Sequence, residues 1–178
     1  MNTGDAWGAI IGFFWIIMLL SFTMLVLSII ARWKIFSKAG EEGIYSIIPV
    51  FNEYIFSKIV FGKGLYFFIE LGGAILYIIG QILSMFSHNN TPGFVIMIIG
   101  LIIVSGYSIV RMYKLGKCFN KSTAYSIIMA ISPYFVFCGI GPIVFFIMYL
   151  NIAFGTDAVY LGTDDEELEE RFKDIEGI

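Results

Sequence analysis

Glu70 is the residue whose chemistry most needs explaining. It falls inside the apolar run 64–86, and a carboxylate within a membrane-spanning stretch is costly, so it marks a functional group or a paired one. Two chemistries suit it: relay of a proton or ion, or a structural ion pair. Arg111 supplies a partner for the second. At ~1.5 Å of rise per residue, Glu70 lies about 9 Å inside its run, and Arg111 stands near the matching end of the next run. Glu70 and Arg111 are therefore the candidate intramembrane ion pair.

The other reactive side chains assemble no catalytic centre. His88 is the single histidine, so a histidine-based zinc cluster cannot form. Cys118 and Cys138 belong to no CxxC pair and read as small apolar residues. Ser84-Met85 superficially resembles the nucleophile region of signal peptidase I. The proline expected two places after the methionine is missing, and no β-rich domain with a lysine follows, so Ser84 is rejected as a nucleophile. No phosphate loop, paired catalytic carboxylates, Cys/His dyad or nucleotide fingerprint is present. The expectation is a non-enzymatic chain with no cofactor and no metal.

Two further groups are suited to contacts rather than chemistry. Gly4, Gly8 and Gly12 make overlapping GxxxG patterns, which let helix backbones approach closely. They serve packing within the chain or self-association, and the pattern does not separate the two. Gly72, Gly73, Gly80, Gly100 and Gly106 offer similar surfaces further on. Lys34, Lys38, Lys58 and Lys63 are candidate contacts to anionic lipid headgroups or to a partner, at about 1 kcal/mol each near such a surface.

The elements that must position these residues are membrane helices. The 178 residues are 58% hydrophobic and only 14% charged, with a mean hydropathy of +0.86. Soluble domains carry about 25% charged residues. The apolar residues gather into runs near the ~20 needed to cross a bilayer, at about 7–31, 64–86, 93–113 and 124–154. The first run lacks the basic flank and short core of a cleavable signal peptide and is read as a retained span, with Trp7 and Trp33 at its interfaces. The last is broken by Pro133, Gly139, Gly141 and Pro142. It is read as one kinked span, with a short helical hairpin as the alternative.

Residues 44–61 are apolar but interrupted by Pro49, Asn52, Glu53 and Lys58. They read as an interfacial or re-entrant helix over about 49–61, with Pro49 in its first turn. Glu53 and Ser57 lie on one side, and Val50, Phe51, Tyr54, Ile55 and Ile59 largely on the other. The fold class expected is thus an all-α membrane protein of four transmembrane helices, one interfacial or re-entrant helix and an acidic tail.

Charge distribution gives the orientation. Net charge is −3, yet residues 1–155 hold nine Lys or Arg against five Asp or Glu, and residues 156–178 hold two against nine. Loop 32–63 carries five basic residues, stretch 111–121 four, and link 87–92 none. Cytoplasmic loops hold the basic excess, so both termini are expected outside, with the C-terminus inside if 124–154 is a hairpin. No polybasic block with interleaved aromatics is present, which argues against nucleic acid. The tail pattern Thr163-Asp164-Asp165-Glu166, followed by Leu168, Phe172 and Ile175, suits a short capped amphipathic helix, or a solvated tail. A short internal echo is also present: Tyr45-Ser46-Ile47-Ile48 recurs as Tyr125-Ser126-Ile127-Ile128, each behind a basic stretch.

The run Trp33-Lys34-Ile35-Phe36-Ser37-Lys38-Ala39-Gly40-Glu41-Glu42-Gly43, then Ile48-Pro49-Val50-Phe51-Asn52-Glu53-Tyr54 and Gly62-Lys63-Gly64, resembles a family of uncharacterised small prokaryotic membrane proteins. Leu115 to Lys121 and Ser132-Pro133-Tyr134 look like that family's second signature. A similar segment is sometimes fused to signal peptidases. The resemblance covers about 33–155 and implies a prokaryotic cytoplasmic membrane and an accessory role, with no activity to carry over. The partners expected are the lipid bilayer and a membrane protein or second copy. The leading expectation is an accessory or assembly protein. The alternative is a small transporter or channel with Glu70 in its path.

Overall fold

A computed structural model describes residues 3–86, 91–135 and 140–163. Among these, six α-helices account for most of the residues: α1 (Thr3–Lys38), α2 (Phe51–Phe61), α3 (Phe67–Phe86), α4 (Thr91–Cys118), α5 (Thr123–Ile131) and α6 (Ile140–Phe154). Short 3-10 turns at Gly43–Ser46, Gly64–Tyr66 and Ser132–Tyr134 join them. Three segments are long and apolar enough to cross a membrane: Ile10–Lys38, Gly64–Phe86 and Thr91–Cys118. His88, Cys138, Gly139 and the expected tail helix lie outside the described residues.

Helices α3 and α4 form an antiparallel hairpin built on glycine. A side-chain carbon at Gly80 would run into the Met97 backbone, one at Gly93 into that of Ser84, and one at Gly100 into that of Tyr77. The two helices therefore touch backbone to backbone, the close approach that drives association where lipid supplies no hydrophobic push.

The expected fourth span is corrected. Of the residues described there, Thr123–Ile131 and Ile140–Phe154 form two short helices packed against each other. The Tyr125 hydroxyl donates to the Met148 carbonyl (2.5 Å), and Gly141 sits against the carbonyls of Ser132 and Phe135 with no room for a side chain. Early α5 thus meets late α6, and late α5 meets early α6. At 9 and 15 residues they reach only about 13 and 22 Å, short of the ~30 Å hydrocarbon core. Pro133 lies in the 3-10 turn that closes α5, where it costs no helical hydrogen bond.

This return places the C-terminal segment at the basic end of the bundle. Leu161 N–H donates to the Cys118 carbonyl (2.8 Å), the Tyr160 hydroxyl to that of Ile59 (2.9 Å), and Lys121 pairs with Asp157 (2.6 Å). Residues 155–161 therefore share an end with the 32–63 and 111–121 stretches. This is the end that the helical-hairpin alternative for 124–154 assigns to the chain beyond it; residues 164–178 lie outside the described residues.

The buried core gathers at the same end, around Ile35, Phe36, Phe56, Leu115, Phe119, Met129 and Ile152. Away from it, α1 stands by itself, with residues 10–26 exposed throughout. Helices α1 and α4 end alike. Gly40 and Asn120 both take positive φ (79° and 55°), with Glu41 N–H bonded to Phe36 O (2.9 Å) and Lys121 N–H to Gly116 O (3.0 Å). These are six-to-one helix-ending turns, and they fall at matching positions ahead of the Tyr45 and Tyr125 echo. The likeness does not persist: Tyr45 lies in a 3-10 turn and Tyr125 in α5.

Candidate functional site

Four charges from four helices meet at the basic end of the bundle. Arg111 of α4 donates through Nη1 to Glu70 Oε2 of α3 (2.6 Å) and to Glu53 Oε2 of α2 (2.8 Å). The other oxygen of Glu53 accepts from Arg32 Nη1 of α1 (2.5 Å). The order is Glu70, Arg111, Glu53, Arg32, alternating in sign and neutral in sum. Glu53 is the shared link, since it alone touches both guanidiniums.

Aromatic rings complete the setting. Both guanidiniums lie over the Phe56 ring, Arg32 at 5.1 Å and Arg111 at 5.3 Å from its centroid, and Arg111 also lies 5.4 Å from that of Tyr107. Weakly hydrated guanidinium tolerates such faces better than ammonium. The Tyr107 hydroxyl and the buried Ser57 Oγ share a hydrogen bond at 2.7 Å. Burial would push the Glu53 carboxyl up, but Arg32 and Arg111 outweigh it and hold that group below the usual carboxylate range.

The candidate pair, Glu70 and Arg111, is thus brought together, but as one end of a longer chain. Glu53, Arg32 and Ser57 were not expected in it. Helix α2 was expected to turn Glu53 and Ser57 to the headgroups. It turns them inward, together with Ile55 and Ile59 of the apolar side, and leaves Phe51 and the preceding Val50 exposed. The polar face follows the buried guanidiniums, not the water. The helix also starts later than expected, because Pro49 precedes it and Val50 turns the chain with φ 67° and ψ −52°. Phe51 N–H reaches the Pro49 carbonyl (2.7 Å) across that residue. This is the γ-turn of strained hand.

The four lysines divide. Lys34 and Lys63 are exposed. Lys58 is exposed and bonded to Glu41 at 2.6 Å, and that hydrogen bond holds its ammonium above the usual lysine value. Lys38 is not available to lipid. Its ammonium donates to the carbonyls of Ile152 (2.9 Å), Gly155 (2.7 Å) and Ala158 (3.1 Å), so the last turn of α1 caps the open carbonyl end of α6. Near it, Lys121 hydrogen-bonds Asp157 and keeps that carboxyl below its usual range.

Gly8 and Gly12 have open space where a side chain would stand, with no described residue packed there. The surroundings of Gly4 lie outside the described side chains. Gly73 packs against Ile103 and Val104, whereas Gly72 and Gly106 face open space. Among the described residues no group of three or more His, Cys, Asp or Glu is placed to hold a metal.

Residues of the motif also hold one another. The Trp33 indole occupies the space where a Gly43 side chain would stand, and the Tyr54 ring does the same at Gly64. Asn52 Nδ2 donates to Ser46 O (2.9 Å), and its Oδ1 accepts from Arg32 (2.9 Å). The chain matches no family model, no curated protein and no solved structure. By composition and by its three long apolar helices it is a helical membrane protein.

Proposed function

We propose that this protein is a non-enzymatic accessory or assembly element of a prokaryotic cytoplasmic membrane, and that its interior charges serve to lock helices together. The observation that carries this reading is the uncovered half of α1: residues 10–26 are exposed throughout, while the C-terminal part of the same helix is built into the core. A helix anchored at one end and bare at the other presents a surface to a second membrane protein, and open Gly8 and Gly12 let a partner backbone come close. The motif resemblance, with its fusions to signal peptidases, is in keeping with this role.

The basic residues orient the molecule in this account. With loops 32–63 and 111–121 in the cytoplasm, the N-terminus is outside and residues 155–161 are inside. Lys34, Lys58 and Lys63 face anionic headgroups there.

The test is a photo-crosslinking amino acid placed at Phe14 of α1 and, as a control, at exposed Ile102 of α4, in cells producing the full chain. A discrete protein adduct from position 14 and none from 102 supports the assembly role. Lipid adducts alone from both positions contradict it. The transporter alternative asks Glu70 to lie in a water path, and its bond to Arg111 speaks against that. Proteoliposome flux that disappears with Glu70→Gln, in protein that remains folded, decides for transport.

A further inference from the structure

A second polar feature opens beside the charge chain and shares Arg32 with it. Between α1, the 43–46 turn, α4 and α6 lies a cleft of about 470 Å³ whose polar end carries Arg32, Ser46, Asn52 and Tyr149. Ser46 and Tyr149 are 3% and 6% exposed, and neither Ser46 Oγ nor the Tyr149 hydroxyl has a hydrogen-bond partner. Buried hydroxyls without partners are uncommon and call for an explanation. The Tyr149 hydroxyl lies beside the Arg32 guanidinium, which is its nearest charged neighbour, so Ser46 is the clearer orphan of the two.

The free groups are chiefly donors. Arg32 makes both of its side-chain hydrogen bonds through Nη1, out of five N–H groups on the guanidinium. The nearby acceptors are already used: Glu53 is held by two arginines, and Asn52 Oδ1 by Arg32. A guanidinium edge and two hydroxyls converging without a free carboxylate match the oxygens of a phosphate. Apart from Ser28, whose hydroxyl donates to the Met24 carbonyl (2.8 Å), the rest of the wall is apolar, including Leu25, Ile29 and Phe146, and Leu25 lies on the exposed face of α1. The polar end of the cleft stands at the end of the bundle that bears the basic loops, where headgroups lie.

We propose that this cleft binds one phospholipid, its phosphate held by Arg32, Ser46 and Tyr149 and the start of an acyl chain running past Leu25 and Ile29. The site depends only on the chain residing in a bilayer, and stands whether or not α1 meets a partner. Ser46 Oγ lacks a partner among the described residues, so removing it weakens lipid binding without weakening the fold.

The full-length chain in detergent is titrated with dilauroyl phosphatidylglycerol, dilauroylglycerol and inorganic phosphate, and binding is followed by native mass spectrometry. The phospholipid is expected to bind at least about tenfold tighter than the phosphate-free lipid. Ser46→Ala and Tyr149→Phe each weaken it about fivefold, the effect of one lost hydrogen bond, with no drop in melting temperature. Ile29→Trp, which fills the apolar arm, abolishes binding, and millimolar inorganic phosphate does not displace the lipid. Parent-like affinity in both hydroxyl variants, or equal binding of the phosphate-free lipid, overturns the proposal. Displacement by inorganic phosphate overturns its lipid part and leaves a free-anion site.

Discussion

Glu53 organises the interior because one carboxylate can serve two guanidiniums, and its depressed titration has a consequence in acid. A carboxyl whose folded value is lowered adds stability that is present in full above its unfolded value, here 4.5. That stability is lost as pH falls through the lower folded value. Melting temperature in detergent should therefore fall from about pH 4.5 downward, and Glu53→Gln should flatten that fall. An unchanged acid profile in the variant is the result that would deny Glu53 this part. Val50 makes a separate prediction at this scale. Its positive φ strains a β-branched residue, so Val50→Gly should raise stability by about 1 kcal/mol by relieving that strain, less some gain in unfolded-chain entropy. Chemical denaturation reads the sign. The Glu70–Arg111 pairing was legible from position along neighbouring runs. The inward turn of Glu53 and Ser57 was not, because an amphipathic helix beside a membrane does not reveal which face meets water when buried guanidiniums wait on the other side.

At the scale of elements, the α6 carbonyl end depends on a lysine from a distant part of the chain. Three N–H groups on a compact ammonium reach three carbonyls, an arrangement that a planar guanidinium does not reproduce. Lys38→Met should cost about 2–3 kcal/mol, the charge-assisted bonds lost from one group, and Lys38→Arg should recover only part of it. Full recovery with Arg would mean that charge alone matters there. In the α3–α4 hairpin, Gly80→Leu has no space beside the Met97 backbone and should part the helices. Limited proteolysis near the 87–90 link would register this as faster cleavage than in the parent chain. Gly80 and Gly100 were visible in sequence among other glycines, Gly93 was not singled out, and the pattern did not say which ones touch. Gly80, Gly93 and Gly100 do, whereas Gly8 and Gly12 face outward. The return of α5 and α6 was harder to read, because one kinked span and a hairpin show the same run of apolar residues. What distinguishes them is the 131–141 region, where Pro133 ends a helix that is already too short to cross.

For the whole molecule, three long apolar helices and a returning helical pair put residues 155–161 at the same end as the basic stretches. A cysteine replacing Asp157 and one replacing Lys63 should react with an impermeant maleimide from the same side of the membrane, opposite to a cysteine at Trp7. Labelling of 157 and 63 from opposite sides would restore the single-span reading of 124–154. Charge asymmetry predicts a side for each loop, whereas the side of the chain beyond α6 hangs on that one segment. What unites the molecule is the charge chain, since Arg32, Glu53, Arg111 and Glu70 come from α1, α2, α4 and α3 in turn. Removing one partner from such a buried set leaves the others uncompensated, at a cost of about 3 kcal/mol or more. Thermal unfolding of Glu53→Gln beside Glu70→Gln in detergent tests this most directly. The account predicts that both variants melt below the parent and that Glu53→Gln melts lowest, because it strips both arginines at once. An unchanged melting temperature in Glu53→Gln would contradict it.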